Sequence, residues 1–556
     1  MKSYRAAFVA TLALTLCATM PQLAHAARYD APTKDASTWE SLFEWSPLVR
    51  DIQALLLEFE LFVGPVNGRL TIETRKAIRV YQKNRDLPID GEADDALLTH
   101  MNNVGRGESL KQRLLEARNK QIEKARVALS NNPATRDLVG ARAKRRATNS
   151  QETGQTCLRT PTVNCLLEEA LSAIDSITRD DYRDWALRDV IRAQARAGRT
   201  DDARNSIRRL SDLRLVLVSL RETAVALVEA GLLKEASALT ETIPDTWNKA
   251  RALLAIAKTE TDGSQAYDAL LKLLPLLEDE AAAVEIIADL AVDLAKNGAT
   301  KRAENAMSVI DNLPAGTKLT DVQRITLSAI ATAYARIGHS DQAMRTLARI
   351  GETNRDYAAL AETAGLLAKN KKTGDAHAAA DRLRTPQLYV LALTKIASAQ
   401  LRLGDRTAAK ASLARAKSAS LDIERPFAAE TALARIATVW SNFLDYPAAF
   451  ENVNAIKSHA LKAQTIWRFA VNAAPPARAA GEANIMQRAV AATDRIESPF
   501  DRAATLARAA IEFAKKRQTK EAKAVFAMAV REARAVRDNW WRARIFSLLA
   551  TALITI

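Results

Sequence analysis

VLALTKIASAQLRLGDRTAA, residues 390–409, is the stretch that decides the fold. It reads as an apolar-periodic helix, a turn at Gly404, and the start of a second helix with Ala409 at a close-packing position. The same Gly-x4-Ala pattern recurs as Gly198/Ala203, Gly231/Ala236, Gly298/Ala303 and Gly338/Ala343, with glycine intervals of 33, 67, 40 and 66 residues. The two long intervals are each about twice a ~34-residue helical-hairpin period. Gly263 and Gly374 stand where the missing turns are expected.

A second recurrence marks the start of the first helix of a unit. It appears as Trp247/Leu253/Ala257, Phe427/Leu433/Ala437, Phe500/Leu506/Ala510 and Trp540/Phe546/Ala550. Offsets of six, four and ten keep these side chains near one helical face, which makes that face core and the aromatics inter-repeat packing. Composition agrees. Only 18 Gly and 16 Pro occur in 556 residues, too few turn formers for an all-β or doubly wound chain of this length, so the fold class expected is all-α. About ten hairpins fit between residues 165 and 540, with the last helix as a cap and a long concave surface suited to binding proteins.

The chain opens with Lys2 and Arg5, the apolar run Ala6 to Cys17, Pro21 and the small-x-small step Ala24-His25-Ala26. That pattern predicts a cleavable signal peptide over residues 1–26 and a periplasmic mature chain. A retained first membrane helix would need a run of about 20 apolar residues, and a lipoprotein would need a small residue in place of Leu16 before Cys17. No later segment is apolar enough to span a bilayer. The net charge of +15 falls to +13 when Lys2 and Arg5 leave. Residues 106–148 concentrate twelve basic side chains against four acidic ones. Nucleic acid would be the natural counter-ion in a cytosolic protein; after export the alternatives are acidic proteins, lipid headgroups, wall carboxylates or a solvated helix face, and no nucleic-acid partner is expected.

Residues 47–102 differ in pattern, with short amphipathic segments separated by turns. Val49-x2-Ile52-Gln53 leads to Gly64-x-Val66-Asn67-Gly68; Thr74-x2-Ala77-Ile78-x2-Tyr81-Gln82 leads to Leu87-x-Ile89-Asp90-Gly91 and a third short helix. These residues resemble the peptidoglycan-binding domain of wall hydrolases and envelope proteins, built from two half-repeats. The resemblance implies a three-helix unit that binds a glycan strand or stem peptide, with Gln53, Phe62, Asn67, Gly68, Thr74, Tyr81, Gln82, Asp90 and Gly91 as binding candidates. The chain departs from the family at Glu60, Thr71, Asp86 and Asp94, where glycine is usual, at Asn67, where Asp is usual, and at Ala96, where Thr is usual. The array resembles tetratricopeptide repeats in unit length, glycine turn and paired small residues, although it lacks a regular unit-ending proline and the Trp-Leu-Gly-Tyr series.

Between these parts, residues 27–46 form an N-terminal segment and residues 103–155 a basic connector. A charged helix is expected from Ser109 to Ser130, then a flexible linker from Ala141 to Gln155. The array then runs over residues 156–556. Cys157 and Cys165, the even pair left after signal removal, favour a disulfide at the mouth of the next helix, against two free buried thiols.

No nucleophile elbow, phosphate loop, zinc-helix motif or reactive-cysteine motif occurs, and no metal or cofactor site is expected. His339 reads as a turn residue, and His377-x3-Asp381 as a structural pair. The sequence therefore points to a non-enzymatic envelope scaffold that binds peptidoglycan through its small domain and recruits envelope proteins through the array. The alternative is a wall-remodelling enzyme, a hydrolase or lytic-transglycosylase-like protein, with an unrecognised catalytic site.

Overall fold

A computed structural model describes residues 46–64, 66–104, 108–139, 155–259, 264–273, 300–311, 321–350, 358–473 and 483–556, with isolated helical positions between 283 and 294. Helix is the regular structure throughout, and no strand occurs among the described residues. The N-terminal part contains α1 (Pro47–Glu58), α2 (Ile72–Lys83), α3 (Asp95–Val104) and α4 (Glu108–Asn131). The signal peptide, the segment through residue 45 and most of the linker expected after Ala141 lie outside the described residues.

The array begins with α5 (Val163–Asp175) and α6 (Asp180–Arg196), and proceeds by pairs: α7 (Thr200–Ile207), α8 (Leu213–Glu229), α9 (Leu233–Glu241), α10 (Thr246–Ala257) and α11 (Ser264–Leu273). It resumes with α12 (Thr300–Asp311), α13 (Asp321–Arg336), α14 (Ser340–Ile350), α15 (Ala358–Lys369), α16 (Thr373–Ala380), α17 (Pro386–Arg402) and α18 (Arg406–Ser420). It ends with α19 (Pro426–Asn442), α20 (Tyr446–Asn454), α21 (His459–Asn472), α22 (Ala483–Thr493), α23 (Pro499–Lys515), α24 (Thr519–Ala533) and α25 (Asn539–Thr555).

Seven of the described hairpin turns close in the same way. The residue one past the left-handed position donates its N–H to the carbonyl five back: Arg199 to Gln194, Leu232 to Leu227 and Asp405 to Gln400, each at 2.9 Å. That is a Schellman-type stop, which needs one residue with positive φ. Gly198, Gly231, Gly338 and Gly404 supply it, at φ between 72° and 94°. Lys371, Leu444 and Arg517 supply it at 58–64° in three further turns, whose backbone bonds are identical in pattern. Gly374 is therefore not the turn residue expected from the sequence; it lies inside α16, and Lys371 makes the turn. Gly263 and Gly298 lie outside the described residues. Beyond each turn the predicted close-packing residues Ala203, Ala236, Ala303, Ala343 and Ala409 are fully buried.

The first helices of successive pairs pack on one another (α6 on α8, α8 on α10, α13 on α15, and so on to α23 on α25), while the second helices pack chiefly on their partners or the next first helix. First helices thus form an inner layer and second helices an outer one. Buried links tie the layers, for example Ser206 Oγ to Gln194 Oε1 at 2.9 Å and Ser412 Oγ to Gln400 Oε1 at 2.8 Å, the same bond in two units. The recurrent Leu253, Leu506, Phe546, Ala437, Ala510 and Ala550 are buried as expected.

The array does not end in a cap. α25 is an inner-type helix and α5 an outer-type helix. The two pack together as a hairpin pair, and α25 also packs on α6 as one inner helix on the next. Leu166, Leu167, Ala170 and Ile174 of α5 share one buried cluster with Phe546, Leu549 and Ala550 of α25. The solenoid closes on itself as a ring. Arg534 reinforces the seam by accepting from Gln155 Nε2 at its carbonyl (3.1 Å) and donating to the Leu158 carbonyl (3.0 Å). Cys157 and Cys165 are disulfide-bonded beside it, with Cα atoms 5.8 Å apart.

The small domain contacts inner helices on opposite arcs of the ring, Arg221 of α8 and Arg425 at the start of α19, and so sits in its opening.

Candidate functional site

The small domain is built from two equivalent locks. In the first, Gln53 on α1 is fully buried, and its amide nitrogen donates to the Arg69 carbonyl (2.9 Å), Thr74 Oγ1 (2.9 Å) and Asn67 Oδ1 (3.2 Å). Its Oε1 accepts the Gly68 N–H at 2.7 Å. In the second, Gln82 on α2 donates to Asp90 Oδ1, and its Oε1 accepts the N–H groups of Asp90 (3.1 Å) and Gly91 (2.8 Å). Each glutamine thus pins the Asn-Gly or Asp-Gly turn that follows it in the chain. Gly68 and Gly91 have φ of 69° and 73°, where a side chain is strained.

These positions explain the residues singled out in the sequence. Thr74 and Tyr81 are fully buried, and Phe62, Gln82 and Asp90 nearly so. Phe62 underlies Gly64, whose missing Cβ would stand 2.5 Å from the ring. The Tyr81 hydroxyl meets His100 Nδ1 at 3.0 Å, and its ring stacks on Phe59. The structure brings Gln53, Asn67, Gly68 and Thr74 together, and separately Gln82, Asp90 and Gly91. Their side chains shape the two turns from inside. Of the four departures from glycine, Glu60 and Asp86 take left-handed φ of 59° and 53°. Thr71 instead caps α2, accepting the Thr74 N–H, and Asp94 accepts the Leu97 N–H.

The family profile for the peptidoglycan binding domain matches residues 46–101, which coincide with this two-lock unit. Residues 46–101 are a peptidoglycan-binding-type domain. No curated protein matches the chain. Among solved structures, the crystal structure of Ton1535 from Thermococcus onnurineus NA1 aligns at 14% identity over 65% of this chain and 97% of its own, with a TM-score of 0.24, too low to support an argument about fold.

The peptidoglycan-binding domain meets the ring through residues the sequence did not point to. Glu73 Oε1 accepts from Arg221 of α8 at 2.7 Å, and the Glu60 carbonyl accepts from Arg214 at 2.9 Å. Lys76 Nζ lies 5.4 Å from the Trp247 ring centroid at the start of α10. On the opposite arc, Arg425, just before α19, pairs with Asp95. Burial would raise the Glu73 carboxyl, but Arg221, Arg251, a backbone N–H and Thr71 bring it down to about 2. α4 joins both bodies, since Leu114 belongs to the domain core and Ala125 and Leu129 to the ring core. The basic connector helix is therefore part of the packing rather than a free spacer. The second turn faces outward, with Asp86, Pro88 and Ile89 exposed.

Elsewhere, His377 and Asp381 both bond Arg415, at 3.2 and 2.8 Å, in a structural cluster with Tyr389. His339 is half-buried and pairs with Glu304 at 3.3 Å. No metal-ligand cluster and no helix long and apolar enough to cross a membrane occur among the described residues.

Proposed function

We propose that this protein is a non-enzymatic cell-envelope scaffold, exported to the periplasm by its N-terminal signal. It attaches to peptidoglycan through residues 46–101 and holds envelope proteins on its helical array, which we read as tetratricopeptide-like. The observation that carries the reading is the peptidoglycan-binding-type domain itself, with both turn locks intact. Ring closure changes where proteins would dock. With the opening filled by the small domain, partners meet the outer helices and the two rims, which carry the turns. The exposed Leu403 and Leu444, on consecutive turns of one rim, fit such contacts.

The test uses the full mature chain. It should sediment with purified sacculi, release no soluble wall fragments, and retain envelope proteins in a pull-down at moderate salt. Failure to sediment would refute wall attachment, whereas release of muropeptides would decide for the wall-remodelling enzyme.

A further inference from the structure

The ion pair that docks the small domain and the ion pair that bridges the seam stand at the two ends of one row of charges. Glu73 Oε1 of the small domain accepts from Arg221 of α8 at 2.7 Å. A second nitrogen of Arg221 lies 3.8 Å from Glu222 Oε1, which also accepts from Arg188 of α6 at 2.6 Å. Burial would raise the Glu222 carboxyl, but Arg188, Arg192 and Arg221 hold it below the usual carboxylate range. Arg192 stands one helical turn beyond Arg188, on the same side of α6, and pairs with Asp189 Oδ1. The other oxygen of Asp189 takes the bond from Arg544 of α25 at 3.1 Å. Signs therefore alternate from the small domain, through α8 and α6, to the last helix. Arg188 and Arg221 are buried and the other members half-buried, so solvent screens the row weakly.

We infer that seating of the small domain and closure of the ring are coupled through this row, so that withdrawing Glu73 from Arg221 loosens the junction of α25 with α6. The direction follows from the sharing of partners. When Glu73 leaves, Arg221 turns to Glu222, and Glu222 gives less to Arg188 and Arg192. Those two guanidiniums then draw on Asp189 at the expense of Arg544. The ring is held tightest when the domain is in place, whatever ligand either part takes. A coupling free energy acts equally in both directions, so opening the seam also loosens the seat of the domain. The other docking contact supplies the comparison, because Asp95 of α3 pairs with Arg425 just before α19, on the opposite arc from α6, α8 and α25.

The test is hydrogen exchange at neutral pH on the full-length protein, comparing wild type with Glu73→Gln, Asp95→Asn and Arg544→Ala. Protection of α15 and α17 at the wild-type level shows that a variant is folded; if Arg544→Ala loses it, the milder Arg544→Gln takes its place. Glu73→Gln should raise exchange in α6 and α25 about fivefold or more, the lower end of ordinary coupling between sites. Asp95→Asn should leave both helices at wild-type rates. In the reverse direction, the Arg544 variant should raise exchange in α2, the helix that carries Glu73. Wild-type rates in α6 and α25 of Glu73→Gln overturn the inference, and so do wild-type rates in α2 of the Arg544 variant. An equal rise at the seam in Asp95→Asn also overturns it, since the effect would then come from loosening the domain as a whole and not from the charged row.

Discussion

Arg544, in the last helix, holds Asp189 of the first inner helix at 3.1 Å, so two residues 355 positions apart are joined across the seam of a ring. Burial would raise the Asp189 carboxyl, but Arg192 and Arg544 hold it below the usual carboxylate range. Tyr182 and Trp185 of α6 pack on Trp540 at 5.0 and 6.3 Å, giving the seam an aromatic layer beside the ion pair.

Arg544→Ala should therefore loosen the seam selectively. Losing a charge-assisted bond and the contact with Trp540 costs about 2–3 kcal/mol. Hydrogen exchange should rise in α5, α6 and α25 while α15 and α17 keep their protection. Uniform loss of protection around the ring would contradict a local seam.

Gln82→Leu removes the lock of the second turn: the Gly91 N–H loses its acceptor, and the Asp90 N–H keeps only the Pro88 carbonyl at 3.2 Å. An orphaned buried donor costs about 1–3 kcal/mol. Residues 86–92 should exchange rapidly, and the small domain should be cleaved by protease before the array. A Gln82→Leu protein as resistant as wild type would show that the lock is dispensable.

Leu444 holds a left-handed turn at φ 63° with its side chain 54% exposed. Glycine adopts that conformation without the clash that costs other residues about 1–2 kcal/mol, though it gains unfolded-state freedom. Leu444→Gly should stabilise the chain by about 0.5–1 kcal/mol in denaturant unfolding. It should also weaken capture of partner proteins if that rim is where they dock.

Acid should release the small domain from the ring before it unfolds the ring. The Glu73 carboxyl lies at about 2, below its ordinary 4.5, so its docking contribution is complete above pH 4.5 and is lost as pH falls from there toward 2. Asp184 works in the opposite sense. Burial raises it to about 6, against the N–H groups of Ser211 and Asp212, so its charged form is a penalty above pH 6 that disappears as pH falls toward 3.8. Protease sensitivity of the domain junction should therefore increase between pH 4.5 and 3 in wild type, and Glu73→Gln should show it already at neutral pH. A junction equally protected at pH 7 and pH 3 would rule out this role for Glu73.

The all-α class, the hairpin period and the two half-repeats of the small domain were legible because each rests on local spacing: glycine at a turn, alanine five later, glutamine ahead of an Asn-Gly or Asp-Gly turn. The turns at Lys371, Leu444 and Arg517 were hidden because these residue types do not advertise a positive φ. The docking residues Glu73, Lys76 and Arg221 carry no local pattern, since their partners lie more than a hundred positions away or on another body. Ring closure did leave a trace. Trp540/Phe546/Ala550 has the signature of a first helix, and the helix at Val163 precedes the first complete pair; in the structure these two make a pair with each other.

That arrangement governs how the molecule comes into being. An open stack of hairpins gains stability one neighbour at a time and frays from its extremities. A ring has no extremity to fray, so loss of structure has to begin with a break somewhere along the circle. During synthesis, the apolar side of α5, with Leu166, Leu167 and Ile174, is covered only in part, by α6, until residues 539–555 emerge. The nascent chain must carry that sticky face through almost four hundred residues of growth. α25 is thus what joins the two ends of a string of hairpins.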